Sequence, residues 1–399
     1  MLIFSACLAI FIYGMVASML GTVIPGLARQ FDLTNAQVGY VALSQGIGLA
    51  AASLAVGALI DRRGKKVGLL CGMALILVGL LQLAYPHGLS QIVIGTFILG
   101  MGGSMVIVGT NALASDVSSL RRASVLNFLN IFVGLGGLAT PFVAGNLLHS
   151  NPIHVAMGAL LITALTFVVI AFTKIPFEPV KHQESRAATS AMFRDSTLYI
   201  LAAVTFLYTA CEFGIWNWLP KYLIAKGIPS STALTILSLG FALGLLCGRI
   251  GATQILTKLS PFRVTVCAAL IMAITTLGML KTTGSTWTAV VVFCAGLAMA
   301  PIFPTVISIV SDIFTRATST AIGFVITCGF SGLIVSSPLI GWLSGSTSNG
   351  LGKGLLLLPS FATGIVILLV IFRSRFLPAS RNGFDLTSEV GTGRPRQTI

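Results

Sequence analysis

The sequence predicts an all-α polytopic membrane protein, with twelve transmembrane helices in two pseudo-symmetric six-helix halves. Three observations carry this. The 399 residues are 55% hydrophobic and 9% charged, with a mean hydropathy of +0.97. A soluble domain carries roughly 25% charged residues. The apolar residues gather in twelve runs, each near the roughly 20 residues a helix needs to cross a hydrocarbon core. The chain also repeats itself at a spacing near 196 residues.

The runs are 2–25, 36–60, 67–86, 90–113, 124–148, 154–174, 196–223, 231–257, 262–282, 286–310, 317–344 and 353–375. None shows the strict apolar–polar alternation of a barrel strand. Residues 2–24 lack a basic leader and are too long for a signal-peptide core, so they read as a retained first span. The 43 glycines suit close helix–helix approach in lipid.

The repeat shows in paired punctuation. Pro25 and Pro220 end spans 1 and 7, 195 residues apart. "SDVSSLRRAS" (Ser115–Ser124) resembles "SDIFTRATS" (Ser311–Ser319), with Asp116 and Asp312 offset by 196. "GLGGLATP" ends at Pro141 and "GFSGLIVSSP" at Pro338, 197 apart. The expected organisation is a first half over 1–174, a cytoplasmic linker over 175–195, a second half over 196–377 and a disordered cytoplasmic tail over 378–399. Parallel halves of this kind characterise a large class of transporters.

Charge sets the orientation. Of 24 Lys and Arg, 18 fall in the loops after even-numbered spans and in the tail, five fall on the other face, and Arg249 lies inside span 8. The positive-inside rule then places both termini in the cytoplasm, in what we expect is a bacterial inner membrane. This sorting accounts for the net charge of +14 without nucleic acid. The seven cysteines lie in apolar runs without a CxxC, and the four histidines form no HxxxH. With no Walker A, GxSxG or zinc spacing, we expect no enzyme, no metal and no cofactor. The expected partners are a small-molecule substrate, protons and the bilayer, with the chain as a monomer.

Between spans 2 and 3 stands "GALIDRRGKK" (Gly57–Lys66). It resembles the GxxxDRxGRR signature of the major facilitator superfamily. Gly57 permits close helix contact, Asp61 offers an anion at a helix end, and Gly64 turns the chain. The resemblance implies that Asp61 meets the start of span 11 when the cytoplasmic side closes. It also implies that Arg62 or Lys65 pairs with Asp116. A narrower likeness is to fucose/glucose–proton symporters. It rests on "FLYTACEFGIWNWLP" in span 7, "GLLCGRI" in span 8, "GLAMAPIFPTVIS" in span 10 and "LNFLNIFVGLGG" in span 5. Some members of that family carry acids in spans 1 and 4. This chain has none there, so the weight of coupling falls on span 7.

Glu212 is the only one of ten acids deep in a span. It precedes Pro220 by eight residues, about 12 Å of helix, which puts it near the midplane. Burial there disfavours its charged form. It then either carries a proton between the two sides or stays protonated as a bridge between helices. Tyr208, Glu212 and Trp216 share a helix face at i, i+4, i+8, with Asn217 on the neighbouring face. An aromatic surface beside fixed polar groups suits a sugar ring. The other reading of Trp216, and the preferred one of Trp218, is the interfacial aromatic belt. Tyr13, Gln45, Asn111, Asn127 and Asn130 either complete the pocket or bond helix to helix. Pro301 and Pro304 should interrupt span 10. Arg249 is read as part of the cytoplasmic gate, paired with Asp312 or helix-end carbonyls; the alternative is an anionic substrate. The expected function is import of a monosaccharide by proton symport. A proton-coupled drug or metabolite exporter and an organic-anion carrier are the alternatives.

Overall fold

In a bilayer every backbone N–H and C=O must find a partner inside the chain, so apolar runs of this length fold as helices. The computed structural model describes residues 2–117, 122–175, 186–256, 258–315, 318–345 and 350–376. Among the described residues, twelve helical segments are long and apolar enough to cross a membrane, and each matches one predicted run. The tail over 378–399 and most of the linker lie outside the described residues.

The first half holds α1 (Leu2–Gln30), α2 (Asn35–Arg63), α3 (Lys65–Ala84), α4 (Leu89–Val117), α5 (Arg122–Asn146) and α6 (Pro152–Phe172). Local chemistry sets several of these boundaries. Thr34 and Gln37 form a reciprocal capping box at the start of α2. Gly64 separates α2 from α3 at φ 90°, a conformation that a side chain would strain. Asn151 caps α6, whose first residue is Pro152.

A short helix not foreseen in the linker, α7 (Arg186–Arg194), leads into α8 (Ser196–Ala225), which Asp195 caps through the Thr197 N–H at 2.8 Å. Span 8 is not one regular helix. It comprises α9 (Ser230–Thr235), a seven-residue π-helical segment (Ile236–Ala242) and α10 (Leu243–Ile255). Then come α11 (Pro261–Lys281) and span 10, broken at Ala300–Pro301 into α12 (Ser285–Met299) and α13 (Ile302–Ile313) as the prolines predict. Span 11 is α14 (Thr318–Leu343). Span 12 is split into α15 (Leu351–Leu355) and α16 (Leu357–Ile371), and α17 (Arg373–Phe376) comes after it.

The packing repeats as the sequence does. α1 packs on α5 as α8 packs on α14, and α2 packs on α4 as span 8 packs on α12. α3 packs on α6 as α11 packs on α16. The same glycines serve in both halves. A Cβ at Gly48 or Gly100 would overlap the backbone of Phe97 or Gln45, and one at Gly244 or Gly296 would overlap that of Phe293 or Phe241. These pairs are offset by 196 residues. They let the helix backbones touch, which substitutes for the hydrophobic drive that lipid removes. Gly296→Leu is therefore expected to lower the melting temperature of the purified protein, by at least the 1–3 kcal/mol or so typical of overpacking. An unchanged melting temperature would remove the repeat contact as a stabilising feature.

The halves touch through α2 with α14, through α5 with span 8, and through α1 with α8. These contacts lie toward the face away from the basic loops. There, Arg29 donates to Ser230 Oγ at 3.1 Å, Asn35 to the Gly345 carbonyl at 3.0 Å, and Asn146 to Thr235 Oγ1 at 3.0 Å. Nearer the centre, Ser238 donates to the Leu138 carbonyl at 2.7 Å. At the basic face, a Cβ at Gly57, Gly251 or Gly323 would meet nothing within 4 Å. Among the described residues, the hydrogen bonds between the halves lie away from the basic face.

Candidate solute site

The site is built around the middle of α8. Tyr208 and Glu212 lie one turn apart on one face, within electrostatic reach of each other. Tyr208 is buried, Glu212 half-buried. The Tyr208 ring lies 6.3 Å from that of Phe303, just past the break in span 10. One turn beyond Glu212, Trp216 meets Phe241 edge-on at 5.2 Å. Trp216 also rests against α5, where a Cβ at Gly137 would stand 3.2 Å from the indole ring. Phe241 belongs to the π-helical segment. Such a segment fits an extra residue into the helix and rotates the turns after it, and π segments are frequent at functional sites. The corresponding stretch of α2 is regular α-helix, so the device exists in one half only.

Tyr13 reaches the site from the first half. It is buried on α1, within electrostatic reach of both Glu212 and Arg249. Tyr208 feels the same two charges. Two tyrosines from opposite halves, one carboxylate and one guanidinium thus converge at mid-span. Arg249 is half-buried, and among the described residues no hydrogen bond or ion pair holds its guanidinium.

The predicted amides divide. Gln45 is buried and gives its Nε2 to the Val16 carbonyl at 3.3 Å, tying α2 to α1. Asn217 gives its Nδ2 to Ser337 Oγ at 3.2 Å, tying α8 to α14. Asn111 and Asn130 are exposed, as are Arg62 and Asp312, while Lys65 is buried. The side chains of Asp61, Asp116 and Asn127 lie outside the described residues. Trp218 corrects the belt reading. It is 0% exposed and packs against α14 at Gly341, so it lies inside the protein and not at a lipid boundary. Phe241 and Phe303 escaped the sequence reading, because an apolar ring in an apolar span carries no mark of which neighbour it meets. Among the described residues no group of three His, Cys, Asp or Glu could hold a metal.

Comparison with known proteins bears on the family and the fold. The sequence model of the Major Facilitator Superfamily matches residues 6–337. The chain is 24% identical over 349 residues to a gentisate transporter of Corynebacterium glutamicum, covering 82% of this chain and 78% of that one. It superposes on a D-xylose–proton symporter with a TM-score of 0.79 at 15% identity, over 94% of this chain and 97% of the other. It superposes on a variant of the E. coli fucose–proton symporter with a TM-score of 0.63 at 18% identity, over 92% and 98%. At such identities the structural likeness speaks for the fold alone.

Proposed function

The chain belongs to the Major Facilitator Superfamily, and we propose that within it the protein imports a polyhydroxylated solute of monosaccharide size together with a proton. The observation that carries this is Glu212, a half-buried carboxylate at mid-span, within electrostatic reach of Tyr208 and of Tyr13 from the other half. The carboxyl takes a proton from one side and releases it to the other as access alternates around a fixed site. The aromatic rings offer a sugar an apolar surface, and the tyrosine hydroxyls offer it donors and acceptors. The basic face is the cytoplasmic one, in a bacterial inner membrane. The chain works as a monomer.

One observation favours a second reading, an organic-anion carrier of the same fold: Arg249 shares the site and has no protein partner among the described residues. The relative named for gentisate transport points the same way.

The test is thermal stabilisation of the purified protein by hexoses, pentoses, sugar acids and lipophilic cations. Ligands that bind only the native state raise its apparent stability. At least one polyhydroxylated compound is expected to raise the melting temperature by about 2–5 °C at saturation. Stabilisation by bulky cations alone would replace this reading with that of a drug exporter.

A further inference from the structure

Arg249 is the one charge in the central site that proton coupling leaves without a role. Its position is set by helix register. α8 and span 8 run antiparallel, and the Trp216–Phe241 ring contact aligns them. Eight residues back from Trp216 stands Tyr208, and eight residues on from Phe241 stands Arg249. Both intervals cover about 12 Å of helix. Arg249 is therefore level with Tyr208, roughly one turn toward the basic face from Glu212. A second contact gives the level of α5. A Cβ at Gly134 would stand 3.1 Å from Leu246, so one turn further toward the basic face the exposed Asn130 lies level with Ile250, beside Arg249.

A guanidinium does not lose its proton in a protein. A half-buried one inside a membrane span must then find an anion, a ring of acceptors or water. Glu212 is the only deep acid in the sequence, and among the described residues no ion pair joins it to Arg249. The groups that titrate or carry charge around Glu212 are Tyr13, Tyr208, Cys211 and Arg249 itself.

An independent feature lies at the face away from the basic loops. A cavity of about 250 Å³ between the halves is lined by Arg29 and Lys221, together with Thr34 and Asn35, and no acid borders it. The Lys221 ammonium sits 5.8 Å from the Trp218 ring centre, with no carboxylate partner among the described residues. Cations thus mark both the entrance and the middle of the path.

We propose that the solute is a small hydroxylated carboxylate, of the sugar-acid class, and that Arg249 binds its carboxylate. The inference rests on reading the central site as the solute site. A planar guanidinium matches a carboxylate with two parallel hydrogen bonds, leaving Tyr13, Tyr208 and Asn130 for hydroxyls. It also explains coupling. An ionised Glu212 one turn away competes for the same guanidinium and repels a second carboxylate. Protonation removes both effects, so solute and proton bind together. One proton with one monoanion adds no net charge.

The test uses matched pairs, D-glucose with D-gluconate and D-galactose with D-galacturonate, at equal ionic strength set with sodium chloride. Calorimetric affinity and thermal stabilisation are read on the full chain, as wild type, Arg249→Gln and Arg249→Lys. The expected result is that an acid binds the wild type at least about tenfold more tightly than its neutral partner. Arg249→Gln should abolish that preference and Arg249→Lys keep part of it. If a neutral sugar binds as well as its acid, or if the preference survives Arg249→Gln, the carboxylate assignment falls while the sugar-sized site stands. If no member of either pair binds, both readings fall. Should Arg249→Gln not fold, the acid-against-neutral comparison on the wild type decides alone.

Discussion

Glu212→Gln protein in proteoliposomes is expected to bind its solute and exchange it across the membrane, yet fail to accumulate it. Glutamine copies the size and the neutral state of a protonated glutamate and keeps a polar amide beside Tyr208. What it lacks is the proton that comes and goes. For one proton per solute, a gradient of one pH unit is worth about 1.36 kcal/mol, or roughly tenfold accumulation. The wild type should approach that factor, and the variant should stop at equal concentrations inside and out. Solute affinity should strengthen as pH falls in the wild type and stay flat in the variant. The measurement is uptake of whichever sugar or sugar acid stabilises the wild type, with and without the gradient. Tenfold accumulation by the variant would remove Glu212 from the coupling step and leave it as a bridge between α8 and its neighbours.

Gly21→Leu is expected to force the halves apart on the side away from the basic loops and to reduce transport by at least about tenfold. A Cβ at Gly21 would overlap the Trp216 carbonyl, and the nearest atoms around it all belong to Trp216 and Asn217 in the other half. The clash is thus between the halves and leaves each half's own packing alone. Backbone atoms cannot step aside as a side chain can, and overpacking costs about 1–3 kcal/mol even where some relief exists. That is enough to reverse a balance between two conformations that differ by a few kcal/mol. Hydrogen–deuterium exchange should accelerate at the end of α1, the start of α2, the end of α8 and the end of α14. Gly57→Leu is the counterpart at the basic face. A Cβ added there meets nothing within 4 Å among the described residues, so melting temperature and exchange are expected to stay unchanged while transport falls. Wild-type transport by both variants would mean that the two faces do not alternate through these contacts.

Much of this protein is legible along the chain. Span number and length are set by hydropathy, because the bilayer imposes the same length on every crossing segment. The two-half organisation is written in offsets near 196 residues, and the packing repeats at the same glycines, Gly48 with Gly244 and Gly100 with Gly296. The depth of Glu212 comes from counting residues to Pro220. Each of these is a local quantity, or a comparison of the sequence with itself.

Only the tertiary structure decided which side chains face one another. Gln45 and Asn217 looked as suited to a solute as Asn130; the Gln45 Nε2 bonds the Val16 carbonyl and the Asn217 Nδ2 bonds Ser337, while the Asn217 Oδ1 is buried without a hydrogen-bond partner among the described residues. Trp218 looked interfacial and is enclosed. The aligned helices bring Arg249 level with Tyr208, and the π-helical segment just before α10 has no counterpart in α2. The physical reason is common to all four. A span's hydropathy depends on its own residues, whereas its rotation about its axis depends on contacts with helices far away in sequence, and that rotation selects which polar groups reach the centre.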